Sequence, residues 1–524
     1  MDPQTAYDEL IGRSREQAIL ASCSAVLGWD EQTYMPPGGA AHRSRQMALL
    51  AGLHHERATD PRIGELLAIV EESALVAEPG SVAGANVREL RRTYDRRVRL
   101  PRTLVEELAR TISMAQAEWV TARAASDFRR FRPWLETIIR LKREESTCLA
   151  DSLASGGSAR SVYDPLLDEY EPGARTTELV TLFEALRREL KPLVAAIVEA
   201  GSRPAGGGAG RDSSAAADAA AILRRRYPLE RQRVFGEAVA AAVGFDFRRG
   251  RLDVAAHPFC TGIGVGDCRI TTRFEEREFG DAFFGILHEV GHGLYEQGLD
   301  ELHYGSPLGE AVSLGVHESQ SRLWENLVGR SRGFWAYWLP MARRIFFDAL
   351  DDVSLDSFHA AVNHVAPSLI RVRADEATYN LHIIIRFELE QDLLTGALPV
   401  GDLPAAWNQK YRETLGVTPS HDAEGCLQDI HWSAGLIGYF PTYTLGNLYA
   451  AQLFATAQAE LGDLGDAFAR GEFRELLGWL REKVHRQGQR YRPADLIERI
   501  TGSRPDHRAL IASLRGKYAE LYGV

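Results

Sequence analysis

The 524-residue sequence predicts an all-α, mainly helical protein with one small β-sheet. Three observations lead there. Apolar residues recur three and four apart through most of the chain, in a background rich in Ala, Leu, Arg and Glu, which is the pattern of amphipathic helices. Alternating, strand-like patterns are scarce. One stretch departs from the helical pattern, since Arg251 to Phe274 is rich in Gly, Thr and β-branched residues and reads as the sheet, just ahead of the helix-like run Phe284 to Tyr295.

Taken in order, Trp29 and Pro36-Pro37 read as a junction between N-terminal helices, and His54-His55 as surface or cap residues. Arg91 to Arg97 reads as a solvated helix face. Strong helical patterns occupy Glu178 to Leu190 and Phe473 to Val484. Between Gly201 and Ala215 the composition turns to Gly and Ser, which reads as a flexible loop between two helices. Helical sequence of the same kind continues on both sides, so one continuous domain is expected over 1–524. Its helical N-terminal part is 1–245, and 246–524 carries the site motifs read below.

The composition excludes several classes. With 72 acidic against 61 basic residues the formal charge is −11, and no Lys/Arg block is interleaved with aromatics, which argues against nucleic acid. The five cysteines (Cys23, Cys148, Cys260, Cys268, Cys426) are scattered and form no Cys-x-x-Cys pair. That predicts a reducing compartment and disfavours a disulfide scaffold or thiolate zinc site. The opening Met-Asp-Pro-Gln-Thr lacks the basic start and apolar core of a signal peptide, and no apolar run approaches the roughly eighteen residues of a membrane helix. A soluble, cytoplasmic protein is expected.

The chemistry is concentrated in Phe284-Gly-Ile-Leu-His288-Glu289-Val-Gly-His292-Gly-Leu-Tyr295. On a helix, positions i and i+4 share a face, so His288 and His292 can offer nitrogens to one ion. Glu289 sits one residue along, placed to reach a water at an open coordination position. Two nitrogen ligands, an open position and a carboxylate base form the set a zinc hydrolase uses. A third ligand is needed. Tyr295 and Gly298 occupy the positions that a longer Gly and His motif would require, so a third histidine fails. Glu318, in the helix-like Ser313 to Trp324, is the third ligand expected, with the turn Tyr304 to Gly309 folding that helix back beside the first.

Six ordered motifs then carry a resemblance. They are His257-Pro258-Phe259, Asp267-Cys-Arg269-Ile-Thr271, His288-Glu289-Val-Gly-His292, His317-Glu318-Ser319-Gln320, Ile370-Arg371-Val-Arg-Ala374-Asp375 and Gly425-Cys-Leu-Gln428-Asp429-Ile-His431-Trp432. Together with Gly28 to Gly39, they make the sequence resemble the carboxypeptidase Taq family of zinc metallocarboxypeptidases over essentially its whole length. The resemblance implies a helical fold with a deep groove, similar to neurolysin-like peptidases. It further implies a homodimer that removes single amino acids from peptide C-termini, with broad specificity. Zinc is the expected ion, with cobalt or manganese possible at such ligands.

Roles follow from residue chemistry. Glu289 is expected to take a proton from the attacking water and hand it to the departing amine. His431 and Tyr439 are candidate donors to the developing oxyanion, and Tyr443, also a candidate substrate contact, competes with them. Arg is suited to a bidentate grip on a terminal carboxylate, which makes Arg371 the first choice and Arg269 the second; each could instead pair structurally with an acid, such as Asp375 or Asp267. Asp375 or Asp429 could orient a ligand histidine. His317 reads as a neighbour of the ligands and His257 as a structural or groove residue. Gly291 and Gly293 lower helix propensity by about 1 kcal/mol each relative to Ala, which calls for close approach of a backbone or substrate, or for helix packing. The alternatives are an endopeptidase or dipeptidase on the same scaffold, or a non-catalytic peptide-binding protein.

Overall fold

Residues Pro3–Thr33 wind into a first helix of 31 residues, started by Asp2, whose carboxylate accepts from the main chain of Gln4 at 3.0 Å. It stops where Pro36 and Pro37 follow, and a short 3-10 turn, Pro37–Gly39, leads into the helix Ala40–Ala58. Proline cannot continue a helix but opens one well, so the junction expected at Pro36-Pro37 is the one that forms. The computed structural model describes residues 1–150, 161–202 and 221–524. The loop expected at 201–215 lies outside them beyond Ser202.

The described residues fall into two compact units, each assembled from three stretches of chain. One comprises Met1–Arg97, Ala209–Val362 and Tyr449–Arg504; the other comprises Val98–Gly208, Asn363–Leu448 and Pro505–Val524.

The first unit contains the sheet, which begins one residue before the stretch expected from sequence and otherwise lies within it. Strand β1 is Gly250–Val254, β2 is Cys260–Gly264 and β3 is Asp267–Thr272, in the order β1-β3-β2. β2 and β3 form an antiparallel hairpin with an irregularity between Gly262 and Gly264, and β1 runs parallel to β3. The sheet packs on the helix Phe279–Glu296, which carries the His-Glu-x-x-His motif. Its N-terminal half is anchored by aromatic contacts: Phe279 and Phe283 stack at 5.3 Å, and Phe235 stacks on Phe283 at 5.4 Å. Buried aromatics dominate such a core because each removes a large apolar area from water.

The expected solvated face at Arg91–Arg97 is corrected by the structure. Within the helix Val82–Arg99 these side chains are half-buried, and Arg91 grips both carboxylate oxygens of Glu71 at 2.8 Å while Arg92 reaches Glu89 at 3.0 Å. Neighbouring acids turn what would be a free charge run into a paired one.

In the second unit, Arg102–Ala125 and Phe128–Ala150 pack as neighbouring helices across a turn at Ser126, whose φ of 52° is left-handed. The helix Tyr379–Thr395 is buried nearly all round and still carries Arg386 and Glu390, both fully buried. Fully buried charges are rare unless paired, so that helix marks where the polar chemistry of this unit lies.

Candidate active site

Glycine decides how closely the two ligand-bearing helices approach. A Cβ on Gly291 would lie 2.5 Å from the carbonyl oxygen of Gln320 and 2.6 Å from the Cα of Ser321. The Leu314–Arg322 helix therefore crosses the Phe279–Glu296 helix backbone to backbone at that point. On the other side, a Cβ on Gly293 would sit 2.6 Å from the Phe245 ring. Both glycines thus serve packing, one of the readings their sequence positions allowed. Ser313 caps the second helix, its hydroxyl accepting from Val316 N at 3.0 Å.

That crossing brings Glu318 between the two histidines. Its Oε2 lies 3.7 Å from His288 Nε2 and 3.5 Å from His292 Nε2, and one ligand atom from each of the three residues lies within 4.8 Å of the others. The opposite ring nitrogens are already occupied. His288 Nδ1 lies 2.9 Å from Glu325 Oε2, and His292 Nδ1 donates to the carbonyl of His317 at 3.1 Å. His317 Nδ1 lies 2.6 Å from the same His292 nitrogen, and its Nε2 faces Glu296 Oε1 at 2.8 Å. With Nδ1–H donating outward on both ligand histidines, each Nε2 keeps its lone pair for the space shared with Glu318.

The carboxylate is prepared in the same way. Glu318 Oε1 accepts from Arg322 Nε at 2.7 Å, so Oε2 is the oxygen turned to the histidines. Burial opposes its charge, but Arg322 and His288 outweigh burial and hold Glu318 well below the usual carboxylate range. Burial, reinforced by His317, lowers His292 to about 3 and keeps it neutral. His288 differs: burial opposes its charge, but Glu318 and Glu325 raise its pKa, so a divalent ion would take the place of a proton there, and two imidazoles with an ionised carboxylate fit such an ion.

Glu289 lies in the same buried region, 6% exposed, yet outside the three-ligand group. Burial pushes its carboxyl up to about 7, near the value at which one group both takes and returns a proton in neutral solution.

Glu325 and Arg322 were missed in the sequence. Glu325 stands on Leu323–Val328, a π-helical segment that directly continues the Leu314–Arg322 helix. The wider turn changes the register, so ordinary helical spacing gives no signal for it. Asp375 and Asp429, the orienting carboxylates considered from sequence, do other work. Asp375 accepts from the main chain of Ala377 and Thr378 at 3.0 and 2.9 Å, and Asp429 binds two arginines.

The remaining candidates divide between the units. Arg269, in the first, places Nε and NH2 on the Asp267 carboxylate at 2.9 and 2.8 Å and stacks over Trp29 at 4.1 Å. His257 is exposed on the connection between β1 and β2 and is not part of the three-ligand group.

Arg371, His431, Tyr439 and Tyr443 lie together in the second unit. His431 Nε2 is 3.0 Å from the Tyr443 hydroxyl, its ring is 5.4 Å from that of Tyr439, and the Arg371 guanidinium lies 5.0 Å over the Tyr443 ring. Burial, with Arg371 adding to it, lowers His431 to about 3, and its buried Nδ1 has no hydrogen-bond partner among the described residues. Arg371 Nε and NH2 donate to Asp429 Oδ1 at 2.9 and 2.8 Å, and NH1 donates to the Tyr379 hydroxyl at 3.0 Å. A guanidinium has five N–H donors, so these contacts leave capacity for a further oxygen ligand. Arg386 takes the other oxygen of Asp429 at 2.7 Å, and Gln428 accepts from the Arg371 main chain at 2.9 Å and from Arg386 at 2.8 Å. The Ile-Arg-x-x-Ala-Asp and Gln-Asp motifs, far apart in sequence, are therefore one hydrogen-bonded assembly.

Residues 9–518 match the family described as Carboxypeptidase Taq (M32) metallopeptidase. The chain is 52% identical to thermostable carboxypeptidase 1 of Thermus thermophilus over 100% of both chains, and 38% identical to carboxypeptidase 1 of Bacillus subtilis, again over 100% of both. Among solved structures, an M32 carboxypeptidase from Deinococcus radiodurans R1 superposes with a TM-score of 0.91 at 42% identity, covering 99% of this chain and 100% of that one. The helical architecture with its single small sheet, the sequence match and these relatives agree, and the chain belongs to the carboxypeptidase Taq (M32) family of metallopeptidases, as a metallocarboxypeptidase.

Proposed function

We propose that His288, His292 and Glu318 hold a divalent ion, that Glu289 is the general base, and that the enzyme removes single amino acids from the free C-termini of peptides with broad specificity. One observation carries the reading. The three ligand atoms converge within 4.8 Å, while both Nδ1 atoms and the second Glu318 oxygen are engaged elsewhere. Two imidazoles and a carboxylate suit zinc, and the same donors accept cobalt or manganese. A bound ion supplies Lewis acidity to the scissile carbonyl and lowers the pKa of water there from 15.7 towards about 7.

The side chains do the rest. Glu289, near neutrality in its pKa, accepts the proton of the attacking water and gives it to the departing amine. Arg371 grips the terminal carboxylate with the donors that Asp429 and Tyr379 leave over, with Tyr443 beside it. Arg269 is the weaker choice for that grip, because Asp267 already pairs with it. His431 and Tyr439 donate to the oxyanion; neutral His431 keeps one ring N–H for that purpose.

We read 1–524 as one metallocarboxypeptidase domain, in keeping with a family match that runs over 9–518. The working form in this reading is a cytoplasmic homodimer. All five cysteines are free, in keeping with a reducing compartment, and no described helix is long and apolar enough to cross a membrane.

The test is mass spectrometry of a free-acid peptide incubated with metal-loaded protein, beside a chelated sample and a C-terminally amidated peptide. A ladder of single residues lost from the C-terminus, abolished by chelator and by amidation, is expected. Internal cuts indifferent to amidation would overturn the exopeptidase reading.

A further inference from the structure

We propose that Glu390 is a positioning residue for the reaction: its carboxylate fixes the segment that carries His431 and Tyr439. The proposal rests on the reading of those two side chains as donors to the reacting carbonyl.

The segment needs an external brace. Residues 421–440 contain no regular helix or strand; they are a run of turns. Gly435 and Gly438 adopt φ values of +70° and +94°, and a Cβ on Gly438 would meet the Leu166 backbone at 2.8 Å. Its main-chain hydrogen bonds are local turns, such as Leu436 N to the His431 carbonyl at 2.9 Å, and side chains of neighbouring elements fix it to the rest of the unit.

One helix supplies those on either side of His431 and next to Tyr439. Arg386 and Glu390 stand one turn apart on Tyr379–Thr395 and therefore share a face. Arg386 binds Gln428 at 2.8 Å and Asp429 at 2.7 Å. Glu390 Oε1 accepts from Trp432 Nε1 at 2.9 Å, and its Oε2 accepts from the Gly438 main chain at 3.1 Å. The grip is thus at residues 428, 429, 432 and 438. His431 lies between two of these points, and Tyr439 is the residue after the last.

A third donor, the Tyr163 hydroxyl, reaches Glu390 Oε2 at 2.6 Å. All three are placed to donate, the pattern an ionised, acceptor-only carboxylate takes, while burial opposes that charge and pushes the Glu390 carboxyl up to about 7. Glu390 and Tyr163 are fully buried, and Trp432 is nearly so. Lys142 acts on Glu390 only at longer range and is paired with Glu145 at 2.6 Å. A buried anion held by three neutral donors is an expensive way to fill space, but it fixes donor positions closely, because each donor has one acceptor to satisfy.

The experiment is a double-mutant cycle on the full-length, metal-loaded enzyme. Glu390→Gln keeps the shape but brings an NH2 towards inward-pointing donors. It should lower kcat by about tenfold or more while KM for a free-acid peptide stays within about twofold, with metal content unchanged. In a Tyr439→Phe, His431→Asn background the same substitution should have an effect within about twofold, because nothing is left to position. Trp432→Phe, which removes one donor and keeps the anion, repeats the cycle should Glu390→Gln fail to fold. An equal loss in both backgrounds, or a loss confined to KM, overturns the proposal. If Tyr439→Phe and His431→Asn alone leave kcat unchanged, the donor reading itself has failed, and that result is separate from the behaviour of Glu390.

Discussion

Glu325 Oε2 lies 2.9 Å from His288 Nδ1, and the same oxygen takes Arg322 NH1 at 3.2 Å. Arg322 also holds Glu318, so one arginine ties the carboxylate beside the two ligand nitrogens to the carboxylate behind one of them. Burial opposes the Glu325 charge, but Arg322 and His288 outweigh it and bring the carboxyl down to about 2. Partners of this kind fix the ring and its tautomer, and their loss typically lowers metal affinity 10–100-fold. Glu325→Ala is accordingly expected to weaken zinc binding by about that factor, read by competition with a chromophoric chelator. Unchanged affinity would remove Glu325 from the account.

The Gly291 contact makes a stability prediction with an internal control. Gly291→Ala drives a methyl into the Gln320–Ser321 backbone and should destabilise by roughly 1–3 kcal/mol, with loss of metal as the helices part. Gly478, exposed on the helix Arg474–Lys483, has nothing within 4 Å of its Cβ position. Gly478→Ala should stabilise by about 0.5–1 kcal/mol from helix propensity. Denaturant unfolding of both variants checks the pair; equal effects would show that the helix crossing does not depend on the missing side chain.

A pH dependence follows from Asp429. Burial works against its charge, but Arg371 and Arg386 prevail and hold its folded pKa far below the unfolded value. A depressed carboxylate contributes its full stabilisation above the unfolded pKa of about 3.9, and that contribution fades as pH falls below it towards the folded pKa. Asp429→Asn also strands two buried guanidinium groups, which at neutral pH should be destabilising by about 3–5 kcal/mol. The gap between wild type and variant should be widest near pH 7 and narrow below about pH 4, as followed by unfolding at several pH values. A gap that widens on acidification would contradict the assignment.

Substrate recognition is tested at Arg371. Arg371→Lys keeps a positive charge beside Asp429 but loses the planar fork. For free-acid peptides KM should rise about tenfold or more, corresponding to roughly 1.4 kcal/mol of lost binding, while hydrolysis of C-terminally amidated peptides stays at its low basal level. Equal losses on both substrates would take the carboxylate away from Arg371.

How much was legible beforehand depends on distance along the chain. The His-Glu-x-x-His spacing is a local helical property, and Glu318 follows on the next capped helix, so these residues could be read as a group in one dimension. The sheet was legible because Arg251 to Phe274 departs so sharply from the helical composition around it. Glu325 was not, because a π-helical segment shifts its register, and Asp429 drew attention as a partner for a histidine when two arginines claim it. Glu390 reads as one more acid on a helix; only burial and its three donors single it out.

The most direct test of the chemistry is Glu289→Gln, measured for metal content and turnover on the same preparation. His288, His292 and Glu318 are expected still to bind metal at the wild-type stoichiometry, while kcat on a free-acid peptide falls by about 10²–10⁴-fold, the range for loss of a general base. Wild-type turnover with the metal retained would contradict that role for Glu289.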